Sequence, residues 1–285
     1  MRHTESKRER VFETCARGVP LAPLTTIGVG GKAAYFAAPA TREEFVSLYD
    51  EETFVLGRGS NVVISDGGYG GLVLSTANLN GIKEENGVLT AECGVTAARL
   101  VDYCRTRGLG GTEFLFGIPA SVGGLAAMNA GAFGREMKDV LRSVVVWDGA
   151  QKRISVEDCG FSYRKSGIKG VVLAAEFNVA GGFDETFIKK IADFRREKQP
   201  HGKTFGSTFR NGEGYSAGAL VERAGLKGFS VGGARVSEKH ANFILNTGGA
   251  TAKDVRELIL YIKRKVNEKF GVELAEEVRF IGEFE

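Results

Sequence analysis

Proline, histidine and cysteine are scarce in this sequence, and no long apolar run occurs. There are five prolines and three histidines in 285 residues. The four cysteines, Cys15, Cys93, Cys104 and Cys159, share no metal-ligand spacing, so no metal site is expected. They read as buried or free thiols of a reducing cytosol rather than as disulfides. No stretch approaches the roughly 18 apolar residues of a membrane span, which speaks against a membrane protein. The opening "MRHTESKRERVF" is charged and has no apolar core, which speaks against a secretory signal. A cytoplasmic protein is expected. Charge of one sign is lacking too: the net value is +3 with a pI of about 8.6. Without a clustered basic face or aromatic-basic interleaving, no nucleic-acid partner is expected.

Glycine is abundant instead, at 40 residues. No collagen-like period or low-complexity tract accounts for it, so it serves loops and close backbone contacts. The densest stretch is "VLGRGSNVVISDGGYGGLVL", residues 55–74. Its loop Gly57-Arg58-Gly59-Ser60-Asn61 is not a dinucleotide fingerprint: the third glycine position holds Val62, and a strand rather than a helix follows. No Gly-Lys-Ser/Thr follows either, so it is no P-loop. What remains is a strand-loop-strand turn rich in N–H groups, which is either an anion nest suited to a pyrophosphate or a tight hairpin holding nothing. A second segment, "FGIPASVGGLAAMNAGAFG" at 116–134, joins a proline-fixed turn, the Gly123-Gly124 pair and the amide of Asn129. It reads as a second ligand-facing loop or as a packed crossing.

The pattern along the chain is α+β in three units without a long linker. Residues 1–17 form a polar leading segment with a short helix. Residues 18–77 are β-rich, with strands near 53–57, 62–65 and 72–75 and one helix opened by the capping pair Thr41 and Glu44. Residues 78–200 begin with the strand "VLTAECG". A helix follows with Ala97, Leu100, Val101 and Cys104 on one face and Gly108 past its end. The β-branched strands "RSVVVWD" and "GVVLAAEFNVA" suggest a sheet covered on both sides. A helix at 185–197 aligns Phe187, Ile191 and Phe194. Residues 201–276 hold a helix at 216–224, the strand "NFILNT" and a long amphipathic helix at 252–269. That helix has the capping box Thr251/Asp254, the stripe Val255, Leu258, Ile259, Ile262 and Val266, and the terminator Gly271. A tail strand, 277–285, is assigned to the first unit.

Six segments in order, "LGRGSNVVISDGGYGGLVL", "FGIPASVGGLAAMNAGAFG", "FSYRKSGIK", "FGSTFRN", "AGLKGFSVGGARVSEKHANFILN" and "EEVRFIG", resemble the UDP-N-acetylenolpyruvoylglucosamine reductase family, the MurB family. The likeness runs from about residue 20 onward. It implies an FAD-binding fold of the vanillyl-alcohol-oxidase type in the first two units and a smaller α/β substrate domain in the third. It implies FAD as cofactor and NADPH as co-substrate, and reduction of the enolpyruvyl ether of a UDP-amino sugar in peptidoglycan precursor synthesis. Gly57, Arg58, Gly59, Ser60 and Asn61 would cradle the FAD pyrophosphate. Ile118, Pro119, Ser121, Val122, Gly123, Gly124 and Asn129 would contact the cofactor from the second unit. Arg164 would bind the substrate carboxylate, Ser207 would protonate carbon, and Glu277 would sit beside them, orienting Arg164 or itself protonated. Glu277 is preferred to Glu276 because it directly precedes "VRFIG". Asn211, Lys239 and His240 are candidates for the UDP-sugar, and Arg195 or Arg196 for the flavin or the nicotinamide nucleotide. A monomer is expected.

Two positions depart from the family pattern: Ala120 replaces a glycine and Gly212 a proline. The spacing near 200–216 fits the subclass that lacks the long tyrosine-bearing substrate loop. Two other readings stand beside this one. A flavin oxidase of the same cofactor fold would need no proton donor to carbon. A non-enzymatic nucleotide-binding module would not need Arg164, Ser207 and Glu277 together.

Overall fold

The computed structural model describes residues 12–284. Of the polar leading segment 1–17, residues 1–11 lie outside that range. Contacts group the chain into two compact units. One takes in residues 37–58 and 73–195; the other takes in 15–36, 59–72 and 196–284. Residues 18–77, which read from the sequence as one unit, are thus shared between the two, and residues 201–276 group with parts of them. The reason is pairing between remote segments, taken up below.

The first unit is built on an antiparallel five-stranded sheet with the order Gln151–Ser155, Leu141–Trp147, Val171–Asn178, Val88–Glu92, Ile82–Glu85. Val171 to Phe177 are buried without alternation, as a central strand covered on both faces requires. Helix α1 (Arg42–Leu48) opens at Thr41, whose hydroxyl accepts the Glu44 N–H at 3.2 Å. The Glu44 carboxylate reaches back one residue further than a capping box does, to the Ala40 N–H at 2.9 Å. Helix α2 (Ala97–Thr106) buries Ala97, Leu100, Val101 and Cys104, as its 3.6-residue period predicts. The short α3 (Val122–Ala127) lies within the second glycine segment. In α4 (Glu185–Lys198) the buried face is Ile188 and Ile191. Phe194, expected on that face, is 46% exposed.

In the second unit, α5 (Ala217–Arg223) and α6 (Ala252–Phe270) enclose a core with Ile27, Val63, Phe205 and Phe209. The α6 stripe Val255, Leu258, Ile259, Ile262 and Val266 is fully buried, worth about 1.5–3 kcal/mol per side chain. The Thr251/Asp254 box is formed on both sides, and Gly271 closes the helix at φ +68°. Asp66 adds a cap from far away: its two carboxylate oxygens accept the Ala252 and Lys253 N–H groups at 2.8 and 3.0 Å. The tail forms Arg279–Ile281, a shorter strand than the expected 277–285. It pairs parallel with Val62–Ile64.

All four cysteines are free and buried. Burial pushes the Cys93 thiol up to about 12 and the Cys159 thiol up to about 11. No helix among the described residues is long and apolar enough to cross a membrane.

Candidate active site

The candidate residues fall into two groups, one in each unit. In the first, Gly57 lies against Ser121: a Cβ at Gly57 would come within 2.5 Å of the Ser121 hydroxyl oxygen. The two glycine segments therefore meet here. Among the described residues, neither the Gly57 nor the Arg58 N–H donates a hydrogen bond within the chain. The second segment is more self-contained. Ile118 donates to Leu115 O, Val122 to Val95 O at 2.8 Å, and Gly123 to Cys93 O at 2.9 Å. Gly123 is glycine because a Cβ would stand 2.9 Å from that of Cys93. Pro119 has no N–H, and Ala120 keeps a negative φ, so its extra methyl brings no backbone strain.

Asn129 is fully buried at φ +42°. Its Nδ2 donates to Glu136 Oε2 at 2.9 Å and to Ser162 O at 3.1 Å, and its Oδ1 accepts the Lys138 N–H at 3.0 Å. The side chain thus holds the loop at 162–165 rather than facing outward. That loop is a tight turn, with Ser162 and Lys165 exchanging both backbone hydrogen bonds. It holds Arg164 at φ +56°. Arg164 Nη2 donates to Gly131 O at 2.9 Å, and its guanidinium lies 4.9 Å from the Tyr163 ring centre. Non-glycine residues at positive φ cost about 1–3 kcal/mol each and cluster at functional sites. Of the four described, Asn129, Phe133 and Arg164 fall together here.

Between Arg195 and Arg196 the structure distinguishes plainly. Arg195 packs on Gly117, where a Cβ would be 2.8 Å from its Cδ, and lies 5.7 Å from the Phe133 ring centre. Burial lowers its pKa. Arg196, in the second unit, offers its carbonyl to Lys239 Nζ at 2.5 Å.

In the second unit, the Gly59, Ser60 and Asn61 N–H groups likewise find no acceptor within the chain among the described residues. Gly59 sits at φ +60°, and a Cβ there would be 2.3 Å from Leu24 O. This glycine therefore lets the loop close on its own chain. Asn61 reaches the tail: its Nδ2 donates to Glu277 O at 3.0 Å, and its carbonyl accepts the Arg279 N–H at 3.0 Å.

Ser207 and Glu277 lie on segments joined at one residue, Thr208. Ser207 pairs with Phe243, and Phe209 pairs with Glu276. Between them, Thr208 receives the Glu277 N–H at 2.8 Å and donates its own N–H to Asn242 O at 2.8 Å. Glu276 turns to α6 and pairs with Lys263 at 2.8 Å. Asn211 Oδ1 accepts the Ala217 N–H at 3.0 Å and so caps α5, a task that Ser216 at the N-cap leaves open. His240 Nδ1 accepts the Asn242 N–H at 3.3 Å, and its ring stands edge-on to Phe243 at 4.9 Å. Burial, first of all, holds its pKa below the usual value. Lys239 is exposed. The sequence reading passed over Asn242, although it lies within "KHANF"; nothing in periodicity or charge marks it. The described residues contain no cluster of His, Cys, Asp or Glu fit for a metal.

Comparison with known proteins fits these two groups. Residues 34–156 match the FAD binding domain family, and residues 198–281 match the UDP-N-acetylenolpyruvoylglucosamine reductase, C-terminal domain family. The UDP-N-acetylenolpyruvoylglucosamine reductase of Caldanaerobacter subterraneus subsp. tengcongensis is 41% identical, covering 93% of this chain and 92% of that protein. The enzyme of that name from Clostridium perfringens is 40% identical, covering 92% and 91%. The crystal structure of UDP-N-acetylenolpyruvylglucosamine reductase (MurB) from Thermus caldophilus superposes with a TM-score of 0.84 at 37% identity, covering 94% of this chain and 99% of that one. With likeness of this extent along both groups of residues, the chain belongs to the UDP-N-acetylenolpyruvoylglucosamine reductase (MurB) family.

Proposed function

We propose that this protein reduces UDP-N-acetylglucosamine enolpyruvate to UDP-N-acetylmuramate, with FAD as cofactor and NADPH as reductant, in peptidoglycan precursor synthesis. The observation that carries the reading is the Thr208 peptide, which fixes Ser207 and Glu277 on neighbouring extended segments. FAD, when bound, supplies hydride transfer from NADPH to the vinyl carbon. Its pyrophosphate suits Gly57 to Asn61, five successive residues whose N–H groups donate to no acceptor among the described residues. Ile118 to Gly124 line the cofactor by contact rather than by the Val122 and Gly123 amides, which are engaged internally. Asn129 acts from behind, by holding the turn that carries Arg164.

Arg164 binds the substrate carboxylate. Its planar, permanently charged fork suits that group, and one such donor aimed at developing enolate charge is worth about 3–4 kcal/mol. Ser207 Oγ delivers a proton to carbon, a contribution of roughly 10²–10⁴ in rate. A hydroxyl is a weak acid, so the residues around it must exclude water. Glu277, in its protonated form, donates a hydrogen bond to the developing enolate. Asn211, Lys239 and His240 border the UDP-sugar, with Asn211 acting through α5. In this reading residues 18–77 and 78–200 serve the cofactor and 201–276 the substrate, in a monomeric cytoplasmic enzyme.

The first test is an absorption spectrum of the purified protein. Flavin bands at one per chain support the reading, and a colourless protein that takes up no FAD removes it. NADPH consumption must then depend on the enolpyruvyl sugar. Fast turnover with oxygen alone would instead mark an oxidase.

A further inference from the structure

We infer that Asn242 is a positioning residue for the proton-delivery step, acting on Ser207 through the backbone of Phe209. This rests on the function proposed above. Asn242 is 5% exposed, and its carboxamide works as a piece of strand. Its Oδ1 accepts the Phe209 N–H at 3.0 Å, and its Nδ2 donates to Phe209 O at 2.8 Å. An N–H and a C=O presented together fix the orientation of the amide, because only one orientation satisfies both. The backbone of the same residue accepts the Thr208 N–H at 2.8 Å. Asn242 thus holds the two residues after Ser207 by three hydrogen bonds, and the Glu277 N–H donates to the Thr208 carbonyl.

This arrangement is more than the adjacent pairing requires. A strand partner would supply only main-chain bonds. Here one buried side chain fixes Phe209 at both polar atoms, two residues from the one whose hydroxyl must stand at a set distance from carbon. A displacement of about 1 Å at such a group costs on the order of 10² in rate. The titratable groups that face the clamp are His240, whose Nδ1 receives the Asn242 N–H, and Glu277, across Thr208.

Asn242→Asp is the informative change, because it keeps the shape. The carboxylate still accepts from the Phe209 N–H but opposes the Phe209 carbonyl; once protonated, it donates to that carbonyl again. With holoenzyme at pH 8, reduction of the flavin by NADPH should change less than about twofold. Reoxidation by the enolpyruvyl sugar should slow by about 10- to 100-fold. As the pH falls toward 6, the ratio of variant to wild type should recover for Asn242→Asp and stay low for Asn242→Ala. Equal loss in both half-reactions, or a flat ratio for Asn242→Asp, would overturn the inference. The clamp is also read without substrate. Hydrogen exchange at the Phe209 amide should quicken at least tenfold in Asn242→Ala, and unchanged protection overturns it too. Wild-type protein that the sugar fails to reoxidise would sink the proposed function instead, leaving the exchange result to decide the clamp.

Discussion

Ser207→Ala removes one hydroxyl while leaving the Thr208 peptide and its partners in place. Flavin content and the rate of flavin reduction by NADPH should stay within about twofold, and reoxidation by substrate should fall by roughly 10²–10⁴. Rapid mixing without oxygen reads the two half-reactions separately; parallel loss would make Ser207 structural. At Gly212, where the family usually has proline, a Cβ would meet the Tyr215 ring at 2.2 Å. That ring is the far end of a flexible, part-exposed side chain, so Gly212→Pro should turn it aside and change stability by no more than about 1 kcal/mol, as read from the urea midpoint. His240 gives the pH dependence. Burial keeps its pKa below the ordinary 6.5. As the pH drops below about 6.5, the unfolded chain takes up a proton before the folded one does, so stability present above that value is progressively lost. Urea midpoints between pH 7.5 and 5.5 should fall less steeply for His240→Gln than for wild type. The glycines show what sequence can and cannot say at this scale. Their density announced close approaches, but Gly59 approaches Leu24 and Gly123 approaches Cys93. A glycine records that something is near, and not whether it is ligand or chain.

At the scale of elements, α6 has more holding its start than its own sequence shows. The Thr251/Asp254 box was legible because both partners lie within four residues of each other. The Asp66 cap was not, because it lies 186 residues from Ala252. Asp66→Ala should cost about 1–2 kcal/mol and speed hydrogen exchange in the first turn of α6 ahead of its middle. An unchanged first turn would show that the box suffices. The central strand Val171–Asn178 and helix α2 were read correctly, since burial on two faces or one leaves a clear period. Helix α4 was read in the right place with one face misjudged: Phe194 is exposed and meets Phe133 edge-on at 5.3 Å. Apolar character placed it in the core, while its partner comes from a loop that no periodicity describes.

For the whole molecule, the α+β class was legible from the mixture of periods, and the grouping into units was not. Strand pairs join Arg279 with Val62 and Ile281 with Ile64, and the bond from Asn61 to Glu277 spans 216 residues. The resemblance places the tail strand with residues 18–77, and its pairing with Val62–Ile64 agrees; pattern reading along the chain carries no signal for such closures by itself. The match of six segments gave the family, and through it the roles proposed for Arg164, Ser207 and Glu277; their residue types alone would not have suggested them. A chain ending at Glu277 should lower the urea midpoint and retain less flavin, since Val62–Ile64 would lose its partner; unchanged flavin content would speak against that link.

The same pairing sets an order of events during synthesis. The ribosome releases the first glycine loop well before its partner: at the usual 5–20 residues per second the partner of Val62–Ile64 follows only some 10–45 seconds later. Until then Asn61 has neither Glu277 to donate to nor Arg279 to accept from. The loop is therefore made long before the strand that fixes it.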